Sequence, residues 1–460
     1  MKKSTTLWAA IWVLPVSILL ILFSACQKEI EKRPATLEEL QSTAATQVNG
    51  HLKQTKTFSS EVALKWLDMK RRLIQQADQL RKPGFVDQYQ DRYFAYVGIA
   101  LYESVVPGMA SYQSLSGQLT DMPQMPQTEP GKEYHWAASA NAALAFIHKG
   151  LLYSITVANK LAVDSLEQAL NVQYQGEADA ATIQRSVNFG RSVAQRILNW
   201  SETDGAYATY PAYILPTGPG LWVPTPPNFA APTLIHYGDL RPLMPGVLNV
   251  TLPTSPLTYS INPSSDYYKS MKEVYDASIT RTTAESDQAL YWRSNVVGWF
   301  GILKKVAIEQ SAMLDQVALA DSKMGIAVFD AAIASFKSKY TYNVQRPVTF
   351  IRSVMGYTTW NSLFAANTNP DYPDGLVSDY SSSAGALSSV FGENYYLNTD
   401  GTNLNTFQGY IFNSFEEAAI HGGNSRFIAG VTTKPAVTAG LTIGFKTAEY
   451  MDTKIKFLKE

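Results

Sequence analysis

The stretch KYTYNVQRP, residues 339–347, places a lysine and an arginine seven positions apart and ends in a proline. On a helix, positions i and i+7 lie on one face, roughly 10 Å apart along the axis. Long side chains would let Lys339 and Arg346 converge on a ligand between them, and Pro347 cannot continue the helix. The alternative is that both cations complement the helix dipole and extend into water. The stretch therefore predicts a helix end that carries either an anion site or two solvated cations.

Helical periodicity dominates the chain on both sides of this stretch. Apolar residues recur at three- and four-residue steps between positions 62 and 80. Further helical patterns cover residues 94–106, 138–170, 183–205, 286–338 and 381–392. Another helix is predicted after Asn413, where Ser414 and Glu417 form a capping-box pattern. We therefore predict an all-α fold.

The distribution of proline divides the chain. Nearly half of the 23 prolines fall between residues 205 and 256, a density that forbids a helix or a central strand. We predict an N-terminal helical bundle over residues 58–204, a proline-rich extended segment over 205–270, and a C-terminal helical bundle over 271–460. The expected architecture is a pair of helical bundles joined by a long proline-rich crossing segment.

The N-terminus has the three-part pattern of a secretory signal. Two lysines precede an apolar run over residues 7–23, and small residues lead to Cys26. The sequence FSAC resembles a bacterial lipobox, which implies cleavage before Cys26 and acylation of that residue. An uncleaved signal anchor is the alternative, although the apolar run is short for a bilayer span. We predict a lipoprotein signal peptide over residues 1–26, a polar tether over 27–57, and a mature chain anchored to a membrane of the cell envelope.

Composition excludes several classes of function. The net charge is −1 and only 17% of residues are charged, so no basic surface indicates nucleic-acid binding. Cys26 is the only cysteine, which excludes an internal disulfide or a cysteine-based metal site. Three aspartates in NPDYPDGLVSD, residues 369–379, could offer oxygen ligands to a hard cation, but their spacing does not match an EF-hand loop. No metal site is therefore predicted.

The opening stretch also carries a family resemblance. Lys339, six intervening residues and Arg346-Pro347 match the first signature of the superfamily of vanadium-dependent haloperoxidases and type 2 phosphatidic-acid phosphatases. The flanking DAAIASFKSKYTYNVQRPVTFIR resembles the bacterial haloperoxidase branch, as do FAYVGIALYES, GRSVAQRIL and PGLWVPTPPNF upstream. The resemblance implies paired helical bundles with an oxyanion held between their helices. It assigns oxyanion binding to five residues, Lys339, Arg346, Gly375, Ser425 and Arg426.

The second signature is altered. Residues 373–376 read Pro-Asp-Gly-Leu where the superfamily has Pro-Ser-Gly-His. The resemblance implies that Asp374 replaces a serine that binds the oxyanion, and that Leu376 replaces a general-acid histidine, a group that contributes ~10²- to 10⁴-fold to a rate. A carboxylate beside a bound anion is repelled by about 4 kcal/mol at ~4 Å and an effective dielectric near ~20. We therefore expect Asp374 to pair with the basic residues and fill the site itself.

The third signature is altered as well. After Ser-Arg at 425–426, Thr432 stands where the resemblance expects the nucleophilic or vanadium-ligating histidine, and Ala436 stands where it expects the orienting aspartate. Thr432 has no base supplied by its motif, so as a candidate nucleophile it lacks activation. His421 is the histidine nearest to Arg426 in sequence and a candidate for functional rescue, although a histidine at a helix C-terminus before Gly-Gly explains it equally well.

The sequence therefore predicts an extracytoplasmic lipoprotein of this superfamily that keeps three cations and lacks the catalytic histidines. It would be a catalytically impaired enzyme or a binding or scaffold protein. The alternative is an active acid phosphatase or vanadium-dependent haloperoxidase with rearranged catalytic residues, and a third hypothesis, carbohydrate or peptide binding, rests on the 26 tyrosines alone. No cofactor is predicted, and vanadate or phosphate would bind only if the site is open. The expected partners are the membrane, through Cys26, and a small oxyanion, but no nucleic acid; the sequence does not indicate the oligomeric state.

Overall fold

The structure is a computed structural model that describes residues 53–79, 90–152, 155–293, 296–402 and 407–459. The predicted signal peptide, Cys26 and the predicted tether as far as residue 52 lie outside these ranges. The residues in these ranges form one compact unit. The described residues contain fourteen α-helices and one two-stranded antiparallel sheet, which confirms the all-α prediction. None of these helices has the length and apolar character needed to cross a bilayer.

The helices differ from the sequence patterns mainly at their breaks. The long pattern over 138–170 is divided into two helices, and that over 286–338 into three. The elements are α1 (Glu61–Gln79), α2 (Gln90–Val105), α3 (Trp136–Leu151), α4 (Val157–Tyr174), α5 (Ala180–Ser201), α6 (Leu248–Thr251), α7 (Asp266–Thr280), α8 (Thr283–Trp292), α9 (Val296–Glu309), α10 (Leu314–Tyr342), α11 (Pro347–Ser353), α12 (Gly375–Phe391), β1 (Leu397–Asn398), β2 (Ile411–Phe412), α13 (Phe415–Ile428) and α14 (Lys434–Lys454).

Helix α10 lies at the centre of the fold and packs against α2 and α12. It is buried along most of its length because its apolar and small residues surround the whole helix. Glycines bring it unusually close to α2: a Cβ at Gly325 would lie 2.7 Å from the carbonyl oxygen of Phe94, and one at Gly98 would lie 2.6 Å from that of Asp321. The two helices therefore meet backbone to backbone, which fixes their relative position.

A second close contact positions the start of α12. A Cβ at Gly440 of α14 would lie 2.5 Å from the carbonyl oxygen of Asp374, and one at Gly444 would lie 2.3 Å from that of Ser378. The amide of Asp374 also donates to the carbonyl oxygen of Ala436 at 3.0 Å. Because α14 presses directly on this turn, the N-terminus of α12 is held rigidly where the second and third sequence signatures meet.

The proline-rich segment crosses α10 with little secondary structure of its own. It contains one turn of 3₁₀ helix and the single-turn α6, so it is not wholly extended as predicted, and α7 begins before position 271. Asp330 of α10 holds the segment through two amides, that of Leu243 at 2.7 Å and that of Met244 at 2.8 Å. The division into two bundles around this segment stays a prediction.

Candidate functional site

The stretch KYTYNVQRP does not form one helix. Helix α10 ends at Tyr342, and Asn343 adopts a left-handed conformation with φ of 52°. Arg346 precedes α11, which starts at Pro347. Asparagine tolerates positive φ and proline is favoured as the first helical residue, so the chain turns sharply here. The prediction that Lys339 and Arg346 share one helix face is therefore wrong, and the turn brings the two side chains together instead.

Both cations of the stretch are buried, so the interpretation of solvated cations is also wrong. Lys339 is 2% exposed and Arg346 is 1% exposed. The Lys339 ammonium donates to the carbonyl oxygens of Pro370 at 2.6 Å and Asp371 at 3.3 Å. Burial, reinforced by the positive charge of Arg346, lowers the pKa of Lys339 to about 7. The lysine is therefore close to its titration midpoint at neutral pH.

The guanidinium of Arg346 is bound mostly by the chain itself. Nε donates to the carbonyl oxygen of Asn369 and Nη2 to its amide oxygen, both at 2.8 Å. Nη1 donates to the Asp371 carboxylate at 3.2 Å and to the carbonyl oxygen of Val431 at 3.1 Å. Since a guanidinium has five N–H donors, four of them are used in these contacts. Arg346 thus joins the loop before α12 to the segment between α13 and α14.

Arg426, in the last turn of α13, pairs with Asp374. Nε of Arg426 donates to Oδ2 of Asp374 at 3.2 Å, and Oδ1 of the same carboxylate caps α12 by accepting from the amide of Val377 at 3.3 Å. Burial alone would raise the pKa of Asp374, but the charge of Arg426 and of two further cations holds that pKa below its ordinary value. The terminal nitrogens of Arg426 make no hydrogen bond to a described residue.

The remaining signature positions take different places. Gly375 and Leu376 are the first two residues of α12 and face a pocket. The Ser425 hydroxyl donates to the carbonyl oxygen of Gly422 in its own helix at 2.6 Å. Thr432 and Ala436 are fully buried and are not among the described residues that line the pocket. The structure thus gathers the three cations and the start of α12, but not Thr432, at the pocket.

His421 lies on a different side of α13. The helix continues through the two glycines to Ile428, so the interpretation of His421 as a helix C-terminal residue is wrong. Gly422 allows this close packing, since a Cβ there would lie 2.9 Å from Tyr380. Nδ1 of His421 accepts from the indole of Trp292 at 2.8 Å. Five residues along a helix turn the side chain by about 140°. His421 therefore points away from the Arg426 side, and it is not among the residues lining the pocket.

A pocket of about 510 Å³ opens over these residues. It lies between α2, α10, the start of α12, α13 and the proline-rich segment. No histidine is found on the described part of its wall, and no group of three or more His, Cys, Asp or Glu in the described ranges is arranged to hold a metal ion. Its lining residues are Gln90, Asp91, Thr233, Leu234, Arg293, Phe336, Lys339, Arg346, Ala366, Asn367, Thr368, Asn369, Asp374, Gly375, Leu376, Asp379 and Arg426.

Sequence reasoning missed the roles of three acidic residues. It considered Asp371 and Asp379 only as possible oxygen ligands of a cation, but Asp371 accepts from Arg346 and from the Thr433 hydroxyl at 3.1 Å, whereas Asp379 lies on α12 and faces the pocket. The spacing of Asp379 from Gly375, one helical turn, was the available signal for its position. Asp91, on α2, has no such signal because only the tertiary packing of α2 brings it to the pocket.

Comparisons with known proteins agree with this architecture. The family model described as the VCPO second helical-bundle domain matches residues 321–459. A solved bacterial vanadium-dependent iodoperoxidase is similar with a TM-score of 0.79 and 25% sequence identity, over 89% of this chain and 99% of that chain. The apo form of a bacterial vanadium-dependent chloroperoxidase shares the fold, with a TM-score of 0.55 and 14% identity over 79% of this chain and 94% of that chain. The holo form of such an enzyme gives a TM-score of 0.54 and 16% identity over 90% of this chain and 97% of that chain.

No curated protein matches the chain in sequence. The matched region contains Lys339, Arg346 and Arg426, the three cations that meet at the pocket. This sequence match and the fold shared with the bacterial enzymes support the vanadium haloperoxidase superfamily as the family of this chain.

Proposed function

We propose that the protein is a cell-envelope lipoprotein of this superfamily that has lost vanadate- or phosphate-dependent catalysis and uses its pocket to bind a small molecule. One observation carries the proposal. The carboxylate of Asp374 stands where the superfamily signature has an oxyanion-binding serine, and it is paired with Arg426 at 3.2 Å. The chain therefore supplies its own anion at this position.

The residues at the pocket do not fit vanadate or phosphate. A second anion beside Asp374 would meet a repulsion on the order of 4 kcal/mol at ~4 Å. Arg346 and Lys339 have most of their donors bound to the chain. Position 432, where the superfamily signature has a histidine, holds a fully buried threonine. No reaction step through a bound oxyanion is therefore supported.

A second candidate function is an acid phosphatase or haloperoxidase with rearranged catalytic residues. It is favoured by Asp379, because burial and the nearby Asp91 raise the pKa of this pocket carboxyl well above its ordinary value. A protonated carboxyl can act as a general acid. The candidate still lacks an activated nucleophile, since no described wall residue is a histidine and His421 lies elsewhere.

The membrane location rests on the N-terminal sequence pattern. Acylation of Cys26 would hold the mature chain on the envelope, with the pocket on the side of the membrane to which the signal directs it. Metabolic labelling with an alkyne-bearing fatty acid tests this directly. We expect incorporation that Cys26→Ala abolishes, and unchanged labelling in that variant would contradict lipidation at this residue.

Calorimetric titration of vanadate and of phosphate into the purified full chain tests the loss of the oxyanion site. We expect no saturable binding at millimolar ligand. The positive control is a variant with the superfamily signatures restored, Asp374→Ser, Leu376→His, Thr432→His and Ala436→Asp together, which should bind vanadate if it folds, as judged by circular dichroism. Sub-millimolar binding by the unaltered chain that Arg426→Lys removes would overturn the proposal, as would steady hydrolysis of p-nitrophenyl phosphate.

A further inference from the structure

The pocket has an acidic end formed by two carboxyl groups from different helices. Asp91 of α2 is 6% exposed and Asp379 of α12 is 5% exposed. Asp91 accepts from the Tyr237 hydroxyl at 3.2 Å, whereas the buried Oδ1 of Asp379 has no hydrogen-bond partner in the part of the chain that the structure describes. A buried polar atom without a partner is costly, so a ligand donor at this place would be stabilising.

The other end of the pocket offers hydrogen-bond donors. The terminal nitrogens of Arg426 make no bond to a described residue, and the amides of Gly375 and Leu376, at the start of the 17-residue α12, likewise make none. Such amides and the helix dipole favour a negatively charged group. The repulsion from Asp374 that opposes vanadate or phosphate also opposes a ligand carboxylate, so a ligand that binds here needs a positively charged group elsewhere in the pocket to offset it.

The two ends are separated by a short apolar distance. Leu376 and Asp379 are three residues apart on α12, hence on one face and about 4.5 Å apart along the axis. The side chains of Leu376, Phe336 and Leu234 line the pocket. This arrangement matches a small molecule with a negative group, a few methylene groups and a positive group.

We propose that the pocket binds a small ω-amino acid, with its ammonium group between Asp91 and Asp379 and its carboxylate on Arg426 and the first amides of α12. An ammonium group has three donors, enough for the free Asp379 oxygen and for Asp91. A carboxylate suits the planar fork of Arg426 and forms charge-assisted bonds with it. The assignment rests on the proposed function, since a pocket that still bound vanadate at Arg426 would have no place for the carboxylate.

The first test is a calorimetric series with the full chain, using glycine, β-alanine, 4-aminobutyrate and 6-aminohexanoate. The series keeps both charges and varies only their separation, and butyrate and butylamine serve as controls that carry one charge each. We expect 4-aminobutyrate to bind at least tenfold more tightly than glycine or either control. Equal affinity for 4-aminobutyrate and butyrate would overturn the proposal.

The second test separates the two ends. Asp379→Asn should weaken 4-aminobutyrate binding at least tenfold while leaving the dissociation constant of butyrate within twofold, and Arg426→Lys should weaken both ligands. Asp91→Asn is a second variant of the acidic end, and Asp266→Asn, at the exposed start of α7, is the matched surface control. Unchanged binding in both folded acidic-end variants would overturn the assignment.

The ionisation of Asp379 gives an independent readout. Burial and the negative charges of Asp91 and Asp374 raise its pKa, while Lys339 opposes them, so the carboxyl is protonated in the empty pocket over a wider pH range than an ordinary aspartate, and an ammonium ligand would displace that proton. Titration of 4-aminobutyrate across a series of pH values, in buffers of different ionisation enthalpy, should therefore show a range in which binding releases a proton, and Asp379→Asn should remove it. Proton release that persists in this variant would contradict the placement of the ammonium group.

The outcomes of the two proposals can be told apart. If vanadate binds the unaltered chain through Arg426, the proposed loss of the oxyanion site fails and the present inference fails with it. If neither vanadate nor 4-aminobutyrate binds, the loss of the oxyanion site stands and only the ligand assignment is wrong.

Discussion

Asp374 and Arg426 join the first turn of one helix to the last turn of another, with the carboxylate Oδ2 accepting from Nε at 3.2 Å. Both side chains are buried, and the same carboxylate caps α12. Asp374 thus binds one of the protein's own cations at the position where the family resemblance predicts an oxyanion-binding serine.

Replacing Asp374 by serine should lower stability while improving anion binding. Serine can still cap α12, but Arg426 loses its partner, and removing one member of a buried ion pair costs about 3 kcal/mol or more. We expect the free energy of unfolding, from urea denaturation, to fall by about this amount, and phosphate affinity to rise at least tenfold. Asp179→Ser, at the exposed N-cap of α5, is the matched control, and its free energy of unfolding should fall much less. Equal losses in the two variants would show that the cap, not the ion pair, matters.

Arg346→Lys should be strongly destabilising although it keeps the charge. The guanidinium makes four contacts with Asn369, Asp371 and Val431, and an ammonium group cannot reproduce this planar geometry. We expect a loss of about 3 kcal/mol in the free energy of unfolding. Arg352→Lys in α11, where the arginine contacts Trp360 and Asn361 near the surface, should change it by only about 0.5 kcal/mol. A small effect at position 346 would mean that its contacts add little to stability.

Glu103 should make stability depend on pH. Burial raises the pKa of this carboxyl from 4.5 to about 7, so its contribution to stability is complete below pH 4.5 and is lost as the pH rises through 7. Glutamine can keep both contacts, accepting from the Leu115 amide and donating to the Ser114 hydroxyl. Relative to the unaltered protein, Glu103→Gln should therefore gain on the order of 3 kcal/mol between pH 4.5 and pH 8. Denaturation curves at both pH values, with Glu416→Gln as an exposed control, measure this gain; parallel pH profiles would contradict it.

Gly444→Ala should separate α14 from α12. The added Cβ would lie 2.1 Å from the Ser381 hydroxyl oxygen and 2.3 Å from the Ser378 carbonyl oxygen, so the helices must move apart. Overpacking of this kind costs about 1–3 kcal/mol. Gly298→Ala in α9 is the control, because no described atom beyond the adjoining helix backbone lies within 4 Å of the added Cβ, and alanine favours helix by roughly 0.5–1 kcal/mol. Thermal unfolding followed by circular dichroism should give melting temperatures that move in opposite directions; a fall in both would contradict the packing argument.

Periodicity was sufficient to predict the fold class, because most helices here bury one face or all faces and show it in sequence. It failed where one residue or one contact decides the local path. The left-handed Asn343 ends α10 inside KYTYNVQRP, and close packing on Tyr380 carries α13 through a Gly-Gly pair that would ordinarily end a helix. Both errors arise because the local sequence carries no information about the helices that pack against it in the folded protein.

The candidate site could be predicted only in part for the same reason. Signature spacing identified Lys339, Arg346 and Arg426 because each has a fixed place in a motif. Asp91 has no place in such a motif, since it belongs to a helix far away in sequence. It lines the pocket only because the glycine contacts hold α2 against α10. A sequence pattern within one helix cannot reveal a charged partner that comes from another helix.

The hydrogen bonds from the Leu243 and Met244 amides to the Asp330 carboxylate bear on which part of the protein unfolds first. The proline-rich segment has little regular secondary structure, so its attachment to α10 depends on contacts such as those at Leu243 and Met244. Segments of this kind detach at lower free energy than the helices beneath them. Hydrogen exchange should therefore be faster at these two amides than in the middle of α10, and Thr233 and Leu234 would leave the pocket wall in the same opening. Opening of this segment would therefore enlarge the pocket mouth while the helical frame stays closed.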